Sequence, residues 1–165
     1  MMKFKSPFVL LYLVLFFAIL ACHQNVVYEK NISIKKHKWH KFDTIDFVVN
    51  IPDTSVFYDI NINVRNGGRY EYSNLFVFVK VIAPTGNHIS DIVEIPLADK
   101  RGNWYGSGLG DIKFLSAPYK RNIKFRTSGI YKFRLVQGMR NDEINKIFDI
   151  GLRIQKSKIS KKLKK

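Results

Sequence analysis

Apolar residues in this chain recur mostly at every second position. Within Phe57–Arg65, the side chains of Ile60, Ile62 and Val64 alternate with polar ones, and Gly129–Val136 shows the same alternation. A period of two is the pattern of a strand with one buried face. No long stretch carries the 3.6-residue apolar period of an amphipathic helix. The pattern therefore predicts an all-β domain.

Further apolar runs are separated by residues that form turns. Leu75–Ala83 is apolar on both faces except for Lys80, as in a central strand, and a Pro-Thr-Gly-Asn turn joins it to Ile89–Leu97. We expect these two runs to form a hairpin, and only a short turn around Asn141–Ile147 to be helical. With the remaining runs, Ile45–Val49 and Phe148–Ile154, they predict an antiparallel β-sandwich of about seven to nine strands, with a jelly roll as one form.

The start of the chain has a different pattern. Lys3 and Lys5 precede an unbroken apolar run, Phe8–Ala21, which ends directly before Cys22. This is the layout of a signal peptide, and the run is shorter than the about 20 residues that span a bilayer. The Ile-Leu-Ala-Cys end suits a lipobox, so we predict cleavage before Cys22 and acylation of its thiol. The alternative is an ordinary secreted protein in which Cys22 is free.

Acylation of Cys22 would hold the protein on a membrane without spanning it, because two or three long acyl chains give stable attachment. The residues just after Cys22 include neither an Asp retention signal nor an acidic export cluster. We therefore expect an outer-membrane location with the body facing the periplasm. By residue number, the expected organisation is a signal peptide 1–21, a lipidated Cys and basic tether 22–41, a β-sandwich domain 42–155, and a Lys-rich disordered tail 156–165.

The formal net charge is +15, and Cys22 is the only cysteine. With that thiol acylated, the stability of the domain must come from core burial and not from disulfides. A basic surface attracts polyanions, but an exported lipoprotein does not routinely meet nucleic acid. Anionic lipids, glycans and acidic envelope proteins are the partners that the charge predicts.

Two motifs suggest chemistry and do not complete it. His37 and His40 lie three apart as metal ligands could, but no third ligand accompanies them and Lys38 between them would repel a cation. The run from Gly106 to Gly110 reads G-S-G-L-G, and it lacks the Lys-Ser/Thr of a phosphate loop and the G-x-S-x-G of a nucleophile elbow. We predict no metal, no cofactor and no nucleophilic catalysis.

Asp99 and Asp111 flank the pair Trp104-Tyr105 in this glycine-rich segment. Paired carboxylates can hydrolyse glycosides, and an aromatic ring beside polar groups can hold a sugar without catalysis. The favoured interpretation is structural: Trp104 plugs the sandwich and the glycines make tight turns. The polar residues Asp99, Arg101 and Asp111 are then the candidate interaction surface.

The same segment resembles the gliding-motility lipoprotein family GldH of Bacteroidetes, most specifically in the string G-S-G-L-G-D-I-K-F that ends at Phe114. The closing D-I-G-L-R-I of residues 149–154 and several upstream strings resemble it in the same order. The resemblance implies an envelope lipoprotein of the gliding machinery, linked to type IX secretion and without established enzymatic activity. Its expected partners are the bilayer and other envelope proteins. A periplasmic glycan-binding module and an envelope hydrolase remain as alternatives.

Overall fold

Ten strands build two four-stranded sheets and one two-stranded pair in the computed structural model, which describes residues 25–158. In chain order they are β1 Val26–Ser33, β2 Lys38–His40, β3 Ile45–Ile51, β4 Tyr58–Gly67, β5 Asn74–Ile82, β6 His88–Pro96, β7 Ile112–Ile123, β8 Gly129–Gln137, β9 Glu143–Asn145 and β10 Ile147–Lys156. A 3-10 turn, Lys35–His37, precedes β2. Two of the ten strands, β2 and β9, have only three residues. The prediction of an antiparallel all-β sandwich is confirmed.

The strand order is that of a jelly roll. One sheet runs β1-β10-β4-β7, the other runs β3-β8-β5-β6, and all neighbouring strands are antiparallel. Among the eight long strands, only β5 and β6 are joined within one sheet, by the predicted hairpin. Every other connection crosses to the opposite sheet, as in the double-sheet jelly roll. The edges of the two sheets are therefore β1 and β7 on one sheet, and β3 and β6 on the other.

The core lies between the two sheets and is built from the residues whose alternation predicted it. Ile60, Ile62 and Val64 of β4 are buried, and they belong to the same apolar cluster as Phe133 and Leu135 of β8. Burial of such side chains contributes about 1.5–3 kcal/mol each. The predicted inward faces of these strands are confirmed.

The two ends of the sandwich carry different segments. We call the end that holds Asn25, where the described chain begins, the entry end. There Asn25 accepts a hydrogen bond from the amide of Lys156, and Tyr58 pairs with both Lys156 and Ile123. We call the opposite end, where β4 stops at Gly67 and β7 starts beside it, the loop end. The glycine-rich segment between β6 and β7 lies at the loop end, so it and the first described residue are at opposite ends of the molecule.

Three sequence-based boundaries differ from the structure. Most of the predicted tether, residues 22–41, is folded, because β1 pairs with β10 along its whole length and Trp39 of β2 is fully buried. The expected helical turn near Asn141–Ile147 is instead β9, which pairs with β2. The predicted tail begins too early, since β10 includes Lys156 and the amide of Ser157 donates to Phe57. The signal peptide, Cys22 and the rest of the tail lie outside the described residues.

The longest strand, β7, has no counterpart among the predicted runs. It pairs only with β4, so it is an edge strand, and it contains Pro118. Proline is tolerated at an edge because its missing N–H is not required by a second neighbour. Residues 25–158 contain no helix long and apolar enough to cross a membrane.

Candidate interaction surface

Two tight turns form the segment between β6 and β7. In the first, Ala98 and Trp104 form an antiparallel bridge, and the amide of Tyr105 donates to the carbonyl of Leu97 at 2.9 Å. In the second, Ser107 and Phe114 exchange backbone hydrogen bonds of 3.1 and 2.8 Å. Both turns are therefore ordered by their own backbone pairing, as extensions of the strands that they join.

Asp99 holds the first turn together. One carboxylate oxygen accepts from the amides of Arg101 and Asn103 at 2.8 and 2.9 Å, and the other accepts from Asn103 Nδ2 at 2.9 Å. The hydrogen bond from the Asn103 side chain is the main cause that lowers the pKa of Asp99, followed by that from the Asn103 amide. The carboxylate that sequence reasoning assigned to a surface role is thus engaged within its own turn.

The glycines of the second turn are required for two different reasons. A Cβ on Gly108 would lie 2.2 Å from the carbonyl oxygen of Ile112, and one on Gly106 would lie 2.8 Å from that of Phe114. Gly110 instead has φ +59 with open space around it. Close backbone approach explains the first two glycines, and the left-handed conformation explains the third.

Trp104 is half-buried and packs against the edge of the core, so it is neither a full plug nor a free anchor. The exposed apolar groups are instead Tyr105 and Leu109, which are 58% and 95% exposed. Sequence reasoning missed Leu109, although a lone leucine between two glycines at the tip of a turn could have indicated it. An apolar side chain that is almost fully exposed is available for contact with another molecule.

The three predicted surface residues fall on two turns. Arg101 is exposed on the first turn beside Asp99. Asp111 is exposed on the second turn, where its backbone carbonyl accepts from the amide of Gly68 at 2.5 Å and ties the turn to the end of β4. Within residues 25–158 no hydrogen bond or ion pair joins the side chain of Asp111 to Asp99 or Arg101. All three belong to the loop end.

The two histidines make aromatic contacts. The ring of His37 lies 4.0 Å from that of Phe148, centroid to centroid, and the ring of His40 lies 5.2 Å from that of Phe42. The Nδ1 atom of His40 also accepts from the amide of Phe42 at 3.3 Å. In the part of the chain that the structure describes, no three His, Cys, Asp or Glu side chains are grouped to hold a metal.

A cavity of about 550 Å³ opens at the entry end, and sequence reasoning missed it. It lies between the edge strands β6 and β7, under the turn between β5 and β6 and the connection between β7 and β8. Its wall includes the buried side chains of Ile60, Val81, Phe125, Tyr131 and Phe133. The volume and the apolar wall are those of a site for a small ligand.

One polar contact bridges the two sheets beside this cavity. The hydroxyl of Tyr119 on β7 donates to Asp91 Oδ2 on β6 at 2.5 Å, and Lys120 Nζ lies 2.9 Å from the same oxygen. The Tyr119 hydrogen bond is the largest cause that lowers the pKa of Asp91, and that from Lys120 is the next. Burial, with the neighbouring carboxylate, raises the pKa of Tyr119. The pair closes the gap between the edge strands at one level.

Comparison with known proteins adds a family to this geometry. The family model described as GldH lipoprotein matches residues 26–154. A protein of Christiangramia forsetii named "Gliding motility lipoprotein GldH homolog" is 37% identical over 159 residues, which covers 92% of this chain and 96% of that one. The "Gliding motility lipoprotein GldH" of Flavobacterium johnsoniae is 29% identical over 158 residues, with the same coverage. A solved structure of infectious bursal disease virus, Gt strain, is similar over 81% of this chain and 33% of its own, with 15% identity and a TM-score of 0.39.

Proposed function

Because the chain belongs to the GldH lipoprotein family, we propose that it acts as a non-enzymatic, lipid-anchored component of the gliding-motility machinery linked to type IX secretion. The observation that carries this proposal is the extent of the family match, which runs from the first residue of β1 to near the end of β10. The whole sandwich is thus shared with the family, and not one motif. Both relatives are named as gliding motility lipoproteins, and these names support a role in gliding motility.

Cys22 is the proposed acceptor of the lipid. The link from Cys22 to Asn25 is only a few residues long, and such a link extends at most about 10 Å. Asn25 is hydrogen-bonded to Lys156 at the entry end. A lipid on Cys22 would therefore hold the entry end close to the membrane, which we propose to be the outer membrane seen from the periplasm.

This orientation directs the loop end away from the lipid. We propose that Arg101, Asp111, Tyr105 and Leu109 form the surface that contacts other envelope proteins, with Asp99 supporting it by holding the first turn. Tyrosine and arginine are enriched among the residues that contribute most strongly to binding. The surface is about as far from the anchor as the fold allows.

The anchor is tested with Cys22→Ser in the source organism. The variant should lose labelling by a radioactive fatty acid and leave the membrane fraction, or accumulate as an unprocessed precursor, because the acyl chains on the Cys22 thiol are the proposed attachment. Wild-type protein in the same gradient is the control. A Cys22→Ser protein that is still acylated and still sediments with membranes would exclude Cys22 as the acceptor.

The partner surface is tested by crosslinking intact envelopes and recovering the protein. Arg101→Ala/Leu109→Asp should lose partners that the wild type retains, while its melting temperature stays within a few degrees because both side chains are exposed. The matched control is Glu29→Ala/Arg153→Ala, which removes an ion pair between β1 and β10, away from the two turns. Equal recovery from both variants would exclude the loop end as the partner surface.

A periplasmic glycan-binding module is the second candidate. The exposed ring of Tyr105, next to the polar turn that Asp99 organises, is the observation that favours it. The same recovery distinguishes the two candidates, because a glycan-binding module would retain peptidoglycan or polysaccharide. Tyr105→Ala would then release the glycan.

A further inference from the structure

The wall and the rim of the cavity at the entry end differ in character. The buried part of the wall is apolar and aromatic and includes Ile60 and Phe133, which are 2% and 0% exposed, whereas polar residues such as Asn87 and Thr127 also line the cavity. The rim carries three cationic side chains: Lys120, Lys124 and Arg126. Among the described residues, no acidic one lines this cavity. A space with a buried apolar wall and cations at its opening is complementary to a molecule with an apolar tail and an anionic head.

Two of the rim cations are available for a ligand. Lys120 is paired with Asp91 next to the cavity. Lys124 lies over the ring of Phe57 at 4.8 Å from the centroid, and Arg126 is exposed. Neither Lys124 nor Arg126 has a carboxylate partner within residues 25–158. Both lie on the connection between β7 and β8, two residues apart along the chain, and both line the cavity, so one negatively charged group there can be contacted by both.

We propose that this cavity binds a single acyl chain that carries an anionic headgroup. The chain would lie between the sheets against the wall that Phe125 and Tyr131 contribute, and the headgroup would contact Lys124 and Arg126. A sugar does not fit this chemistry, because the buried part of the wall offers few hydrogen-bond partners.

The location favours a lipid ligand as well. The opening lies at the entry end, near the β5–β6 turn and the β7–β8 connection, and Asn25 is at that same end. Under the proposed anchoring through Cys22, the opening would be close to the bilayer surface. The lipid-binding inference goes beyond the proposed function. It depends on the proposed anchoring through Cys22 only for the nearness of the opening to the membrane.

The test uses the full-length protein in isolated envelopes, which avoids metabolic incorporation of the probe. The probe is a palmitic acid with a diazirine in the chain and a terminal alkyne, and the adducts are mapped by mass spectrometry after illumination. We expect them within residues 81–89 and 119–133, the two segments that contribute most of the cavity-lining side chains. Adducts only outside these ranges would overturn the proposal.

Two charge reversals give the discriminating comparison. Lys124→Glu/Arg126→Glu should reduce labelling at least about tenfold, because the headgroup then meets two carboxylates. Lys100→Glu/Arg140→Glu changes the net charge equally at exposed positions of the loop end and should label as the wild type does. The alcohol with the same chain should label weakly and respond to neither reversal. Equal labelling by all variants, or by acid and alcohol, would contradict the proposal.

A folding defect is separated from a loss of binding by a third variant. If the Lys124/Arg126 reversal lowers the melting temperature, Ile89→Glu must give the same loss of labelling, since Ile89 lines the cavity and is 56% exposed. Competition with palmitic acid or with lysophosphatidylglycerol identifies a free fatty acid or a lipid as the source, and competition by neither overturns the inference. Labelling requires neither motility nor secretion. It can therefore fail while the proposed function is correct, and it can succeed while the proposed function is wrong.

Discussion

Gly108→Ala is the perturbation that best tests how the glycine-rich segment is built. The added Cβ would lie 2.2 Å from the carbonyl oxygen of Ile112, whereas real Cβ atoms approach no closer than about 3.0 Å. The obstacle is backbone, so it cannot rotate away as a side chain would. The two sides of the turn must separate by about 1 Å, and the paired hydrogen bonds between Ser107 and Phe114 lie directly behind that contact.

Gly110→Ala and Gly86→Ala are the matched comparisons. Gly110 has φ +59 and Gly86 has φ +86, and no other atom lies within 4 Å of the position that a Cβ would take at either glycine. The only folded-state penalty is the left-handed backbone, about 1–2 kcal/mol for a residue with a Cβ. The lower entropy of the unfolded alanine chain offsets about 0.4–1 kcal/mol of it. We expect a net loss of about 0.5–1 kcal/mol at each site.

The loss of stability for Gly108→Ala is larger, because this substitution weakens hydrogen bonds, whereas Gly110→Ala and Gly86→Ala only strain a backbone dihedral angle. Two backbone hydrogen bonds join Ser107 and Phe114, and each contributes about 0.5–1.5 kcal/mol net. Losing both costs about 1–3 kcal/mol, and the same offset of about 0.4–1 kcal/mol from the unfolded alanine chain applies here. The net loss of about 0.6–2 kcal/mol corresponds to a fall in melting temperature of about 2–7 °C for a domain of this size. Gly110→Ala and Gly86→Ala should each lower it by about 2–4 °C.

Thermal unfolding followed by circular dichroism measures all three variants, and limited proteolysis reports whether the turn itself opens. Gly108→Ala should be cleaved within residues 106–114 faster than the wild type, and Gly86→Ala should not. The order of the three losses is the prediction. A Gly108→Ala protein as stable as wild type, or a Gly110→Ala protein less stable than Gly108→Ala, would refute the reasoning from backbone approach.

Two further predictions concern the core and the sheet edge. Trp39→Ala should cost about 3–5 kcal/mol, because the ring is fully buried and its Nε1 donates to the Asp43 carbonyl at 2.9 Å; the half-buried Trp104→Ala should cost clearly less in urea unfolding, and equal losses would contradict the difference in burial. Tyr119→Phe removes the main cause of the lowered Asp91 pKa. Because the pKa of Asp91 is lowered in the folded state, its ionised carboxylate stabilises the fold at pH values above 3.8, the ordinary pKa of an Asp side chain. This stabilisation is lost as the pH falls through the folded-state pKa. Wild type and Tyr119→Phe should therefore differ most near neutral pH and converge at the acid end, and a constant difference would exclude this origin.

The central strands could be predicted because each carries one uninterrupted signal. In β4 and β8 the alternating residues face the core on one side, so the two-residue period survives in the sequence. In β5, which has a neighbour on both sides, the apolar run continues on both faces. Burial explains the inward faces of these strands, which is the property that a sequence shows most directly; it does not explain the apolar outer face of β5, where Phe78 is 46% exposed.

The edge strands could not be predicted in the same way. β1 carries Glu29, Lys30 and Asn31 in succession, and β7 carries Pro118 among basic residues, so neither shows a clean period. An edge strand has one neighbour and more solvent, and charges or a proline there are tolerated. The polar composition that suggested a tether is therefore the ordinary composition of an edge.

The sequence names candidate surface residues, but it does not show what their side chains contact. Asp99 looked like a surface carboxylate, and its oxygens are engaged by the backbone of Arg101 and by Asn103. A sequence shows the residue type and not the partner, so a turn-forming carboxylate and a ligand-binding one look alike. Leu109 shows the opposite case, since its exposure is a consequence of turn geometry.

The cavity and the missed strand have a common physical origin in the edge formed by β6 and β7. Two twisted sheets diverge where their edges are not covered by a further strand, and side chains alone must fill the gap. In this protein Tyr119 and Asp91 bridge the gap at one level, and beyond them, towards the entry end, the space stays open over Ile60 and Phe133. The edge position that allows Pro118 in β7 is thus also the position that leaves room for a ligand. A ligand in the cavity would take over the contact between the sheets that side chains do not complete there.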